Sequence, residues 1–309
     1  MKRREFVATL GTGLTGAFLP WLPPPSPVER FVERWSWAMG QAVHVMVVAG
    51  SEDQGLEACA AALAELRRVE ARLSLFDDAS DLCELNRRAG RGPMQADHDL
   101  RAVAAAAAAF QRETAGAFNA AVEPLMRMWG FHPLREEVEY PDRVVYEEAL
   151  EAVATASVRL DGDRIELPNR HTQLDFGGIA VGYGIDRVVG VLRAAGIRRA
   201  FVDVSGDCYG LGAPPGQPDG WVVRIADSAQ EIRLRDAALA TSSNAKSVVR
   251  LGCFDKLGHI MDPARGFSVE VHEKVTVLAP TALAADALST GVLVRQQVPH
   301  GVRAIFTPE

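Results

Sequence analysis

The chain is poor in the features that would make its function obvious. It has four cysteines, Cys59, Cys83, Cys208 and Cys253, and no two stand in a CxxC spacing. That speaks against a zinc knuckle or a thioredoxin-type redox centre, and the thiols read as small core residues. Positive charge is in deficit: 33 Lys and Arg against 40 Asp and Glu leave a formal net charge of −7. The basic footprint that nucleic-acid binding needs is missing. A small anion remains a possible ligand, because a local metal ion or a helix N-terminus overrides global charge. The apolar stretch that ends at Leu22 is broken by glycines, threonines and Pro20, too weak for a stable membrane span.

What is present is ample apolar material. Hydrophobic residues make up 48% of 309 positions, enough for one large domain or two modest ones with a real core. The N-terminus carries Arg3-Arg4, then Phe6 and the mildly apolar stretch, with Thr15-Gly16-Ala17 as a small-residue cleavage site. Basic and apolar parts come in the order of an export signal of the twin-arginine type. Pro23-Pro24-Pro25-Ser26-Pro27 follows as an extended spacer, so residues 1–28 are expected to be leader and spacer. No cysteine follows the apolar region, so no lipoprotein anchor is expected.

Further on, Trp35 to Ala49 reads as a strand entered through Met39-Gly40. Gln54 to Leu73 and Asp99 to Arg112 read as helices, with Ser80 capping a short one between them. Short helices are expected over Val122–Trp129 and Val145–Val153. A hairpin turns at Asp161-Gly162-Asp163. Strands are expected at 200–204, 221–225, 231–234, 237–241 and 275–278, with His259 at a strand end before the Asp262-Pro263 turn.

The most informative stretch is Leu174 to Asp207. Asp175 precedes Gly177 and Gly178, Gly182 and Gly184 come next, and then an amphipathic helix carries Ile185, Val188, Val189 and Leu192. Glycines without a Cβ let a ligand press against backbone. By itself such a loop binds a dinucleotide, a phosphate or nothing. A strand, Ala200 to Val204, leads to the polar loop Ser205-Gly206-Asp207. Downstream, Ala279 to Val294 is helical, and Asp286 and Thr290 lie four apart on one face. A carboxylate and a hydroxyl one turn apart are hard oxygen ligands suited to Mg²⁺, and no other charge lies on that helix.

Taken in order, these segments resemble the ApbE family, the FAD:protein FMN transferases. The matching residues are Met39-Gly40; Arg72-Leu-Ser74-Leu-Phe76 with Ser80 and Asn86; Gly116-Ala-Phe118 with Pro124-Leu125 and Trp129-Gly-Phe131; Asp175-Phe-Gly-Gly-Ile-Ala180 with Gly182-Tyr183 and Asp186; Gly206-Asp207; Thr241-Ser242; His259-Ile-Met-Asp-Pro263 with Gly266; and Ala285-Asp286-Ala-Leu-Ser-Thr290.

The resemblance implies an α+β, T-fold-related single domain over 29–309, with two lobes around a flavin cleft. It implies Mg²⁺ held by Asp286, Thr290 and the Gly178 carbonyl. FAD would be contacted by Met39, Phe76, Ala117, Phe118, Asn119, Asp175 and Ile260. The implied reaction moves FMN from FAD to a threonine or serine hydroxyl of an exported or membrane-bound acceptor protein and releases AMP. Alternatives are FAD hydrolysis to FMN and AMP, or flavin binding without turnover. His259 is the candidate for proton transfer, and Asp286 is a second candidate base. Set against the family pattern, Val181 replaces a usual Lys or Glu, Asn119 an Asp, Phe76 a Tyr and Ser243 a Gly, and Ser205 opens the usual Gly-Gly-Asp loop. With the leader, the family reading implies an exported protein, periplasmic or on the outer face of the cytoplasmic membrane.

Overall fold

The computed structural model describes residues 29–225, 228, 230–245, 248–252 and 255–308. The expected leader and spacer at 1–28, and Cys253, lie outside the described residues. The frame is a seven-stranded antiparallel sheet whose strands lie side by side in chain order. They are β1 (Arg30–Ala38), β2 (Gln41–Ala49), β3 (Ala200–Val204), β4 (Asp207–Leu211), β5 (Ala237–Ser242), β6 (Glu273–Ala279) and β7 (Arg303–Pro308). The long excursion between β2 and β3 supplies α1 (Glu52–Leu73), α2 (Asp81–Arg87), α3 (His98–Glu113), α4 (Glu123–Met128), α5 (Arg143–Ala154) and α6 (Ala180–Ala194). Helix α7 (Ala282–Arg295) sits between β6 and β7.

Alternation decides which face is covered. In β2 Val43, Val45 and Val47 are fully buried, and with Val202 and Val204 of β3 they pack on Leu66, Ile185 and Leu192 of α1 and α6. The opposite face is partly covered by a hairpin, Trp221–Arg224 with Glu231–Leu234, which lays Ile232 and Leu234 over Cys208 and Leu239. A second lobe gathers α4 and α5 against a small sheet of 137–138, 248–251 and 255–258, around Trp129, Val153, Val249 and Leu251. Among the described residues no helix is long and apolar enough to cross a membrane.

Three local expectations are corrected. Met39-Gly40 does not lead into a single strand: it is the tight turn of a hairpin whose first strand is β1, with Met39 at φ 54 and Gly40 at φ 68. Asp207 does not end a loop but opens β4; the turn is Ser205 (φ 50) and Gly206 (φ 105). Gly182 and Gly184 are not loop residues but lie in the first turns of α6, where they permit close packing. A Cβ on Gly184 would stand 3.0 Å from the Met39 sulfur and 3.1 Å from Leu66 Cδ2.

The helices are also tied by a polar network that periodicity does not show. Asp99, 2% exposed at the start of α3, accepts from Tyr183 Oη of α6 at 2.6 Å and pairs with Arg68 of α1 at 2.5 Å. Glu65 accepts from Arg68 Nε at 2.8 Å and from Arg187 Nε at 2.9 Å. Burial works to raise the Asp99 pKa, but the Arg68 and Tyr183 hydrogen bonds outweigh it and hold the carboxyl below its usual range. A depressed folded pKa means that stability is present above the unfolded value, about 3.9, and is lost as pH falls through the folded value. Asp99→Asn is therefore expected to cost about 2 kcal/mol at pH 7, because Arg68 loses a buried partner while its half-exposed head keeps some solvent. The same substitution flattens the acid limb of stability; urea unfolding between pH 7 and pH 3 measures both effects.

Candidate active site

Where the second lobe faces one end of the sheet there is a cleft of about 450 Å³. Gly177, Gly178, Asp286 and Thr290 line it together with Phe76, Ala117, Phe118, Asn119, Asp175, His259 and Ile260. All but one of the site residues expected from the sequence thus share one cavity. The exception is Met39. It stands in the hairpin turn with its sulfur against Gly184, while Gln41, two residues on, reaches the lining.

The floor is built by α6 and α7 held in register. Asp186 of α6 accepts from Ala282 N at 2.8 Å and Leu283 N at 3.0 Å, and so caps the N-terminus of α7. One turn back, Gly182 N donates to Asp286 Oδ2 at 2.9 Å. The missing side chain makes this possible: a Cβ on Gly182 would lie 2.3 Å from Ala282 O and 2.8 Å from Asp286 Cβ. The two helices therefore touch backbone to backbone, and Asp286 is fixed by the contact. On the next turn of α7, Thr290 Oγ1 is 3.1 Å from Ser242 Oγ, which is in turn 2.7 Å from Ser289 Oγ.

The glycine-rich bend meets this face directly. A Cβ on Gly178 would come within 3.2 Å of Thr290 Oγ1 and 3.4 Å of the Phe118 ring. The bend is held from behind by Asn86, whose Nδ2 donates to Leu174 O at 2.9 Å while its Oδ1 accepts from Leu174 N at 2.8 Å. Asp175 Oδ1 accepts from Gly177 N at 2.7 Å, and Asn119 Oδ1 accepts from Ala121 N at 2.9 Å. On the other wall Asn244 Oδ1 accepts from Ile260 N at 2.8 Å and its Nδ2 donates to Val269 O at 2.7 Å, which sets the His259–Ile260 backbone.

Electrostatically the floor is acidic and sheltered. Burial, and after it the nearby Asp207 carboxylate, push the Asp286 pKa well above the usual carboxylate range, against the lowering effect of the Gly182 N–H. Two carboxylates facing one small space, with a hydroxyl and a side-chain-free bend beside them, form a hard oxygen donor set that fits a divalent cation. Among the described residues no three His, Cys, Asp or Glu side chains converge, so such an ion would draw on the Thr290 hydroxyl and backbone carbonyl as well. Val181, only 7% exposed, contributes apolar wall.

Some lining residues were not picked out from the sequence. His132 follows the quoted Trp129-Gly-Phe131 segment; its Nε2 is 3.9 Å from Asp175 Oδ2 and its ring meets Phe76 edge-on at 5.4 Å. Asp207 stood only as part of a turn motif. Asn244, which does not line the cleft but fixes the His259–Ile260 wall, carried no signal, since its role depends on a loop far along the chain.

With this geometry in place, similarity to known proteins becomes specific. The ApbE family model matches residues 39–302. A Treponema pallidum protein named FAD:protein FMN transferase is 31% identical over 255 residues, covering 74% of this chain and 68% of that protein. The apo crystal structure of Pseudomonas stutzeri flavinyl transferase ApbE superposes with a TM-score of 0.77 at 26% identity, over 91% of this chain and 92% of that one. The ApbE protein of Thermotoga maritima gives a TM-score of 0.75 at 28% identity, over 86% and 87% of the two chains. Since the match runs through both lobes and every segment that lines the cleft, the chain belongs to the ApbE family.

Proposed function

We propose that this chain transfers FMN from FAD to a threonine or serine hydroxyl of an acceptor protein and releases AMP. The observation that carries the reading is the contact of the Gly178 bend with the Asp286–Thr290 face inside one cleft. A dinucleotide diphosphate needs backbone that it can approach and a neutralising charge beneath it, and the cleft floor provides both kinds of surface. Asp286, Thr290 and the Gly178 carbonyl would hold Mg²⁺, which when bound supplies charge neutralisation for the diphosphate.

The chain's own residues account for the rest. The exposed Phe76 ring offers a stacking face for the flavin or adenine. Phe118, Asn119 and Ile260 bound the cavity and orient the dinucleotide. The acceptor oxygen forms a bond to the FMN phosphorus, and the bond from that phosphorus to the AMP oxygen breaks. The hydroxyl proton passes to His259, which lines the cleft on a loop fixed by Asn244. His259→Ala is expected to lower the transfer rate about 10²-fold with FAD affinity changed far less, as read from single-turnover labelling and flavin fluorescence titration.

The twin-arginine start supports export, and with it an acceptor on the outer side of the cytoplasmic membrane. The decisive test is incubation with FAD, Mg²⁺ and several threonine-bearing acceptor domains. Covalently fluorescent acceptor together with AMP is the expected result. AMP without labelled acceptor would instead mark an FAD pyrophosphatase, and retained FAD with neither product a binding protein.

A further inference from the structure

We infer that the broad groove beside the cleft docks an acidic segment of the acceptor protein, an inference that rests on the flavinyl-transfer reading. Phe76 and His132 line both the cleft and a larger cavity of about 1010 Å³. The two spaces therefore share a wall, and a chain lying in the larger one passes directly beside the smaller. The groove's charge runs against that of the whole molecule. Four arginines, Arg87, Arg91, Arg127 and Arg170, line it within a chain of net charge −7. Two are already engaged, Arg87 with Glu84 at 2.8 Å and Arg127 with Glu123 at 2.6 Å. Arg91 and Arg170 are exposed and have no carboxylate partner among the described residues; Arg170 Nε donates to His171 Nε2 at 2.8 Å. The remaining acid on the wall is Asp78.

These two arginines are brought together by construction. Gly90, at φ +73, packs so closely that a Cβ there would lie 2.7 Å from Arg170 Cβ and 2.9 Å from its Cα, and Gly90 N donates to Leu167 O at 2.8 Å. The loops that carry Arg91 and Arg170 are thus locked side by side, and neither guanidinium is held by a carboxylate among the described residues. Guanidinium forks unmatched by the protein's own acids favour carboxylates from a partner. The unmatched guanidinium groups draw such a segment to the groove, and its hydroxyl residue enters the adjoining cleft.

The test uses the full chain and two short dye-labelled peptides, each with one threonine, flanked in one by Asp and Glu and in the other by Lys. Fluorescence anisotropy is expected to show the acidic peptide binding at least about tenfold more tightly than the basic one, with the preference fading at high salt. Arg91→Glu/Arg170→Glu should remove it and Arg91→Gln/Arg170→Gln should reduce it, while FAD affinity changes less than about twofold. Equal binding of the two peptides, or no response to the variants, overturns the proposal. So does an equal loss of FAD affinity, which would assign the groove to the nucleotide. Acidic-peptide binding that responds to the variants without any FMN transfer would sink the transferase reading and leave the groove assignment standing.

Discussion

Asp286→Asn is expected to lower kcat/KM for FMN transfer about 10³-fold, a loss of about 4 kcal/mol of transition-state stabilisation, while leaving the protein folded. The carboxylate has two roles that the substitution separates. As a hydrogen-bond acceptor it holds Gly182 N at 2.9 Å, and an asparagine carbonyl accepts that bond equally well. As a charge it stands buried beside Asp207, an arrangement that costs free energy unless a cation lies between or near the pair. Neutralising it relieves the repulsion and removes the hardest ligand of the proposed Mg²⁺ site. Wild-type protein should therefore melt at a higher temperature when Mg²⁺ is added, since a ligand that binds only the folded state stabilises it. The variant should lose that response and the activity together. Retention of both by Asp286→Asn would remove the metal from the account of this cleft.

The second large effect is on the fold. Gly182→Ala is expected to destabilise the protein by about 3 kcal/mol, because overpacked sites force backbone apart. The added carbon would sit 2.3 Å from Ala282 O and 2.6 Å from Ala282 C, atoms of a helix backbone that cannot rotate away. Separating α6 from α7 also lengthens the Gly182–Asp286 hydrogen bond and shifts the cleft floor, so activity falls with stability. An internal control lies in the same helix. Gly190 has nothing within 4 Å of its Cβ position, and Gly190→Ala should stabilise by about 0.5–1 kcal/mol through helix propensity and a less flexible unfolded chain. Urea unfolding of the two variants should move in opposite directions. A Gly182→Ala protein as stable as wild type would mean that the helices are not in backbone contact.

The same glycines mark the boundary of what the sequence reveals. Their density before an amphipathic run is visible without coordinates and points correctly to a close-approach site. Which kind of approach each one serves is not visible. Gly178 faces the cleft across from Thr290, whereas Gly182 and Gly184 face other protein segments, Ala282 and Met39. A missing Cβ looks the same in either case. Met39 shows how one residue joins both levels: it stands in a motif of site-forming segments, and it also holds the hairpin turn and packs against Gly184. Residues whose role is to hold others are harder to read: Asn86 and Asp186 stand in the family-like segments and Asn244 does not, but none shows what it holds, since their partners lie far along the chain.

The sequence by itself determined the period-2 and period-3.6 runs that become the sheet and its helices, the glycine-rich bend, and the carboxylate–hydroxyl pair one helical turn apart. Those are local facts, fixed by side-chain chemistry within a few residues. The tertiary structure alone decided that the bend lies against that pair, that Asp207 comes to share its space with Asp286, and that two arginines beside a second cavity go unmatched. These depend on long-range packing of α6 on α7 and of one lobe on the other, and no short stretch of chain encodes distances between segments that meet only when the whole core closes.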